Sequence, residues 1–234
     1  MLSLNSERCL MRKPQVNPKY FTSAYLSRER WISFWYQIME VNKTSPLKVL
    51  EIGPGPAIVS EVLKKMNVRV ITLDIDHRLF PEVCADVTAL SFTDKSFDTV
   101  LAAEILEHIP FNEVPKALKE LSRVAKKAIV ITLPHFSHFA PSIALKLFPY
   151  VPRFSKVFPI SLPIKHKFDG QHYWEIGKSG FSLSTVRQML IDSTGMKLTR
   201  DYLIEENPFH HVFVLKRSES ETAHPNDTNE DKSE

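Results

Sequence analysis

The sequence predicts an α/β domain built on an open, doubly wound sheet. Two observations carry that reading. The stretch Val49-Leu50-Glu51-Ile52-Gly53-Pro54-Gly55-Pro56-Ala57 reads as a buried strand, a glycine turn and a helix start. About 20 residues on, a second apolar run, Val68 to Leu73, ends at Asp74. Strands alternating with helical patterns at this spacing belong to parallel sheets covered on both faces.

Each element follows from its own pattern. Residues 1–19 read as irregular. From about Ala24 to Val41, Trp31, Phe34, Trp35 and Ile38 recur at helical spacing, and these rings are expected to pack on the sheet. Lys48 to Ile52 is apolar with one carboxylate, as a central strand would be. Gly53 and Gly55 let the backbone turn tightly and approach a ligand. The helix from about Ile58 to Lys65 would aim its unpaired amides at that ligand. Val83 to Asp86 and Asp98 to Ala103 are the third and fourth strands. Val114 to Ala125 is a helix, with Leu118, Leu121 and Val124 on one face. Ala128 to Leu133 is a fifth strand, stopped by Pro134. A helix over Ser182 to Ser193 has Ser182 or Ser184 as its cap and Gly195 as its end. Leu198 to Ile204 and Val212 to Leu215 are the last strands. The polar tail at 218–234 is expected to be disordered.

Composition sets bounds. The 234 residues suffice for one domain with a sizeable core, and 43% hydrophobic with 24% charged residues is ordinary for a soluble protein. Cys9 and Cys84 are the only cysteines and do not suggest a disulfide framework. Neither has a close cysteine or histidine partner of zinc type, so no metal site is expected. No signal-peptide core or membrane-spanning run is visible, which makes a reducing cytoplasm the default. A net charge of +3 is too small to imply nucleic acid.

The glycine turn can be narrowed. A dinucleotide fingerprint needs a third glycine at position 58, where Ile58 stands. This disfavours nicotinamide or flavin chemistry. Asp74, at the end of the second strand, is placed to reach ribose hydroxyls.

Glu51-Ile52-Gly53-Pro54-Gly55-Pro56-Ala57, Asp74, Ala85-Asp86-Val87, Ser96-Phe97-Asp98-Thr99-Val100 and Glu107-His108-Ile109 together resemble the class I S-adenosylmethionine-dependent methyltransferases, in order and spacing. The resemblance covers roughly 46–135, more weakly to about 216. It implies a Rossmann-like seven-stranded sheet with one antiparallel strand at the edge. It also implies roles. Glu51 and the backbone of Gly53 and Gly55 would hold the methionine end of S-adenosylmethionine. Asp74 would bind the ribose, Asp86 and the Val87 amide the adenine edge, and Glu104 would line the floor near the methionine part. Ala57 replaces the family's third glycine. A helix cap or solvated turn is the plain alternative for Asp86 and Glu104, and His108 reads as structural. The leading segment, 1–45, would cover the cofactor, with Tyr20 and Tyr25 at the rim, and 46–217 would form the catalytic domain.

The substrate should be chosen by an insertion after the fifth strand, 135–180. It mixes Phe136, Phe139, Phe148, Tyr150, Phe154, Phe158 and Phe168 with Lys146, Arg153, Lys156, Lys165 and Lys167, and has no acid from Pro134 to Phe168. Loops beyond the carboxyl ends of strands build such sites, so a substrate lid over a small core comes first. Peripheral contact with an anionic membrane comes second, and single-stranded nucleic acid last. Methyl transfer mainly requires alignment, with a base only where the nucleophile must lose a proton. His135 and the cluster His172, Tyr173, Glu175 are the candidates, with His172 the better base. His210 and His211 read as turn residues. Family members acting on exocyclic or amide nitrogens often carry Asn/Asp-Pro-Pro-aromatic after the fourth strand. Ala103-Glu104-Ile105-Leu106 stands there, so DNA-base and glutamine methylation are disfavoured. The leading expectation is methyl transfer to a partly apolar small molecule, at oxygen. The alternatives are a lipid-linked or membrane-bound acceptor and a non-catalytic S-adenosylmethionine-binding regulator. The oligomeric state is not legible.

Overall fold

The computed structural model describes residues 14–147, 151–160, 162 and 164–218. The start of the irregular N-terminal segment and all but Ser218 of the expected polar tail lie outside them.

Helix α1 (Arg28–Asn42) is capped by Ser27, whose Oγ accepts from the Arg30 amide. It leads into β1 (Lys48–Ile52), α2 (Ile58–Lys65), β2 (Arg69–Asp74), the short β3 (Val83–Cys84) and β4 (Phe97–Ala103). Helix α3 (Val114–Val124) and β5 (Ala125–Pro134) follow. Then come β6 (Ser142–Leu147), β7 (Val151–Val157), α4 (Leu183–Thr194), β8 (Lys197–Leu203) and β9 (His210–Lys216). As the sequence predicts, Ser182 caps α4 through the Thr185 amide and Gly195 ends it in the left-handed region.

Seven strands form one sheet in the order β3-β2-β1-β4-β5-β9-β8. All neighbours pair in parallel except β9, which is antiparallel to both β5 and β8. The antiparallel strand is therefore not at the edge, as the resemblance implied. A short connection after β8 turns the chain back, and β9 inserts between β5 and β8, leaving β8 outermost. The strand order reverses between β1 and β4, so the turn after β1 opens at the switch point where ligands bind.

The two sheet faces bury separate cores. Leu50, Val100, Ile129 and Phe213 pack with Leu118 and Leu121 of α3 and Val186 and Leu190 of α4. On the other face Val49, Val70, Leu101 and Val214 pack with Phe34 and Val41 of α1 and Val59 and Leu63 of α2. The rings of α1 divide: Phe34 is buried and Ile38 packs beside it, but Trp31 and Trp35 are half exposed. Positions 31 and 35 sit one turn apart on the outer face, while 34, 38 and 41 share the inner one, so only part of that expectation holds.

Between β5 and α4, β6 and β7 pair as a two-stranded antiparallel sheet separate from the main one; the aromatic pattern gave no sign of this hairpin. Among the described residues no helix is long and apolar enough to cross a membrane.

Candidate functional site

A cavity of about 1070 Å³ opens at the carboxyl ends of β1, β2 and β4. Its floor is the turn after β1. Gly53 has φ +65° and donates its amide to the Leu73 carbonyl at 2.7 Å. A Cβ on Gly53 would meet Ile105 Cδ1 at 1.9 Å, and one on Gly55, at φ +52°, would meet the Phe21 ring at 3.1 Å. Both positions thus need glycine for conformation as well as space. Ala57, the N-cap of α2, holds φ +58° without glycine.

Glu51 lies in the central strand between Thr72 and Leu101 and is almost fully buried. Its Oε2 has no hydrogen-bond partner. Burial lifts its carboxyl to about 8, against hydrogen bonds from Ser60 that pull the other way. Asp74 ends β2, and its Oδ1 accepts from the Asp76 amide at 2.8 Å. Burial raises its pKa as well. The third strand stops at Cys84, so Asp86 falls in a turn, where its Oδ1 accepts from the amide and hydroxyl of Thr88, each at 2.8 Å. The turn role weighed for Asp86 is therefore present, and Asp86 and Val87 still line the cavity.

Glu104 follows β4 at φ +54°, its amide bonded to the Thr132 carbonyl. Its Oε1 is buried without a partner, and its Oε2 lies 3.5 Å from His210 Nε2. His210 Nδ1 pairs with Ser33 Oγ at 2.7 Å, linking β9 to α1. Burial, only partly offset by the Glu104 charge, lowers the His210 pKa. The sequence reading gave His210 a turn role. Here it opens β9 and lines the cavity, a placement that depends on β9 inserting beside β5.

The other end is made by segment 171–176 docking on the connection after β4. Trp174 is fully buried and donates Nε1–H to the Leu106 carbonyl, and the Tyr173 amide donates to the Glu107 carbonyl. Trp174 also packs edge-to-face on Phe111. This brings His172 and His108 into edge contact, ring centroids 5.1 Å apart. His172 Nδ1 meets Glu175 Oε1 at 3.0 Å, and Lys178 Nζ lies 3.8 Å from Glu175 Oε2. Burial pulls the His172 pKa down, but the Glu175 hydrogen bond and charge outweigh it and leave it raised. Glu107 is fully buried, with neither carboxylate oxygen bonded. Burial, then the Glu104 charge, pushes its pKa well above the usual range. Glu107 was given no site role in the sequence reading; its signal there was its place in the motif Glu107-His108-Ile109.

His135 does not reach this cavity. Pro134 and Phe136 line it, and alternation along the chain turns His135 to the other side. There His135 Nδ1 meets His211 Nδ1 at 3.0 Å, and Asp201 receives His211 Nε2 and the Arg187 guanidinium. Burial, then the His211 charge, holds His135 down at about 4. A catalytic role at the cavity is thus withdrawn for His135.

The turn fits S-adenosylmethionine on its own geometry. Two glycines leave space against the backbone, a buried carboxylate oxygen has no partner, and an aspartate stands at the end of the neighbouring strand.

Residues 50–131 match the sequence model of a family described as "Methyltransferase domain". A demethylmenaquinone methyltransferase of Renibacterium salmoninarum is 33% identical over 101 residues, covering 39% of this chain and 42% of that protein. The matches span about two fifths of the curated relatives' length. Among solved structures, an S-adenosylmethionine-dependent methyltransferase from Aquifex aeolicus aligns with TM-score 0.55 at 17% identity, over 87% of this chain and all of that one. Magnesium protoporphyrin IX methyltransferase from Synechocystis, with bound S-adenosylhomocysteine, aligns with TM-score 0.55 at 15% identity, over 88% of this chain and 90% of that one. At such identities these two structures speak for the fold alone.

Proposed function

We propose that this chain, whose residues 50–131 match a methyltransferase-domain model, is an S-adenosylmethionine-dependent methyltransferase that transfers a methyl group to an oxygen of a small, partly apolar acceptor. The observation that carries the reading is one continuous cavity with two unlike ends. At one end lie Gly53, Gly55, Asp74 and Asp86; at the other, His108, His172 and Glu175, with Phe136, Phe168 and Tyr173. At about 1070 Å³ the cavity stands at the large end of ligand pockets, which run to roughly 1,000 Å³, and this supports a reading with cofactor and acceptor side by side.

When bound, S-adenosylmethionine supplies a methyl group on a positively charged sulfur. Glu51 and the backbone of Gly53 and Gly55 would hold its methionine end. Asp74 accepts from the ribose, and Asp86 with Val87 reads the adenine edge. Glu104 lines the floor beside His210. Apolar and aromatic walls orient the acceptor and keep water out, and alignment of this kind supplies most of the rate in a displacement. His172, polarised by Glu175, is placed to take a hydroxyl proton.

Saturable S-adenosylmethionine binding by calorimetry tests the premise. Asp74→Ala removes a charged hydrogen bond that contributes about 1.5–3 kcal/mol, so affinity falls by roughly 10- to 150-fold. Unchanged affinity overturns the cofactor assignment. His172→Ala lowers turnover more than cofactor affinity, read with an acceptor library and labelled methyl donor.

A second reading, a lipid-linked acceptor met at a membrane surface, is favoured by one feature. Phe139, Ile143, Ile160 and Leu162, on and beside the β6–β7 hairpin, are more than half exposed, and Lys156 lies over the exposed Phe158 ring at 5.3 Å. Salt-sensitive sedimentation with anionic vesicles supports it, and absence of binding removes it. The third, a non-catalytic cofactor-binding regulator, gains if the cofactor binds and no acceptor yields S-adenosylhomocysteine.

A further inference from the structure

The Glu107 carboxylate has no partner in the fold, although it is fully buried and lines the cavity. Leaving such a group bare is costly unless something positive meets it. Among the described residues, one ligand atom each from Glu107, His108 and His172 lies within 4.8 Å of the other two. That is a two-histidine, one-carboxylate set. His108 and His172 come from segments 64 residues apart in the chain, which is why no metal spacing is legible in the sequence.

The surroundings of the two rings are those of metal ligands. A ligating histidine nearly always gives its other N–H to a carboxylate or carbonyl, which fixes the tautomer. His172 Nδ1 is paired with Glu175 Oε1 at 3.0 Å. His108 Nδ1 is paired with the Gln171 carbonyl at 3.0 Å and with Gln15 Oε1 at 3.1 Å. Both rings therefore use Nδ1 as donor and keep Nε2 for a ligand. A second grouping, Asp169, His172 and Glu175, also falls within ligand distance. It is the weaker one, because Asp169 Oδ1 accepts from the Gln171 and His172 amides and Glu175 is shared between His172 and Lys178.

We propose that Glu107, His108 and His172 bind a divalent transition-metal cation at the acceptor end of the cavity. Two imidazoles and a carboxylate suit zinc, manganese, iron or cobalt better than calcium. Three protein ligands leave coordination positions open, as catalytic metal sites do, and an acceptor oxygen is the ligand they would take. The inference rests on the reading of this end as the acceptor site. It gives His172 Nε2 a ligand's role in place of a base's, with Glu175 the positioning residue behind it.

The test uses purified full-length protein stripped with EDTA, without cofactor or acceptor. It is titrated with Zn²⁺, Mn²⁺ and Co²⁺, following bound metal by mass spectrometry and the Co²⁺ absorption bands. Wild type should bind one equivalent with ligand-field bands of a nitrogen–oxygen site. Glu107→Gln, which keeps side-chain shape, and His108→Ala should each weaken binding by about 100-fold or more, and Glu175→Gln by about 10- to 100-fold. Circular dichroism confirms that each variant is folded, and Asp169→Asn should bind like wild type. Absence of stoichiometric binding, or binding indifferent to Glu107→Gln, overturns the metal site. S-adenosylmethionine binding by the same stripped protein is unaffected by that failure, so the cofactor reading stands or falls separately.

Discussion

Glu51 makes a prediction that separates cofactor recognition from simple burial. Its carboxyl is lifted from 4.5 to about 8, so in the free protein at pH 7 it is about 90% protonated, by the mass-action relation behind these shifts. The α-ammonium of a bound S-adenosylmethionine, brought to Glu51, favours the ionised form. Binding at pH 7 should then release roughly 0.9 proton from this one group. Calorimetric titration in two buffers of unlike ionisation enthalpy reads that number from the difference in apparent heat. The released proton should vanish above about pH 9, where Glu51 is already ionised, and in Glu51→Gln at any pH. Stability runs the opposite way. A carboxyl whose folded pKa is raised destabilises the fold increasingly as pH rises from its unfolded value towards the folded one. At pH 7 that is about 2.5 units, or roughly 3 kcal/mol. Glu51→Gln should therefore melt higher than wild type at neutral pH while binding the cofactor more weakly. Equal proton release in wild type and variant would refute the reasoning, since the proton would then come from another group.

Two further outcomes follow from the packing. His135 is held neutral, with a folded pKa of about 4 against 6.5 unfolded. The stability it contributes is complete above pH 6.5 and is lost as pH falls from there towards 4, by up to about 3 kcal/mol. Urea titrations of wild type and His135→Gln should diverge in slope across that window; parallel curves would show that His135 does not titrate there. Trp174→Ala leaves a void against Phe111 and Phe181 and removes the indole N–H bond to the Leu106 carbonyl, which keeps only the Ile109 amide. It should destabilise by about 3–5 kcal/mol, read by denaturant midpoint. A loss under about 1 kcal/mol would mean that the 171–176 segment is not anchored by this ring.

The donor half of this protein was written locally. A strand, two glycines and a helix start within nine residues, with Asp74 a second strand away, suffice to place one end of the cavity. Backbone geometry there depends on near neighbours in sequence: left-handed φ at Gly53 and Gly55, and a sheet whose strands read as apolar runs. Even Ala57, standing where the family prefers glycine, holds a left-handed conformation that its neighbours impose.

The acceptor half depends on contacts that no local pattern encodes. His135 and His172 read alike, as histidines near a strand end and a lid. The alternation of Pro134, His135 and Phe136 sends the first away from the cavity, and the buried Trp174 brings the second into it. His210 looked like a turn residue until β9 was seen to insert beside β5 and carry it to Glu104. Glu107 was legible only as part of the motif Glu107-His108-Ile109, and the docking of segment 171–176 sets His172 beside it. The sequence by itself determined the strands and helices of the parallel half and the end of the cavity that the glycine turn builds, because close neighbours in the chain set them; where β9 inserts was decided by tertiary structure. Tertiary structure alone decided which histidines face the cavity and which carboxylates are stripped of water, because those follow from burial by segments far apart in sequence.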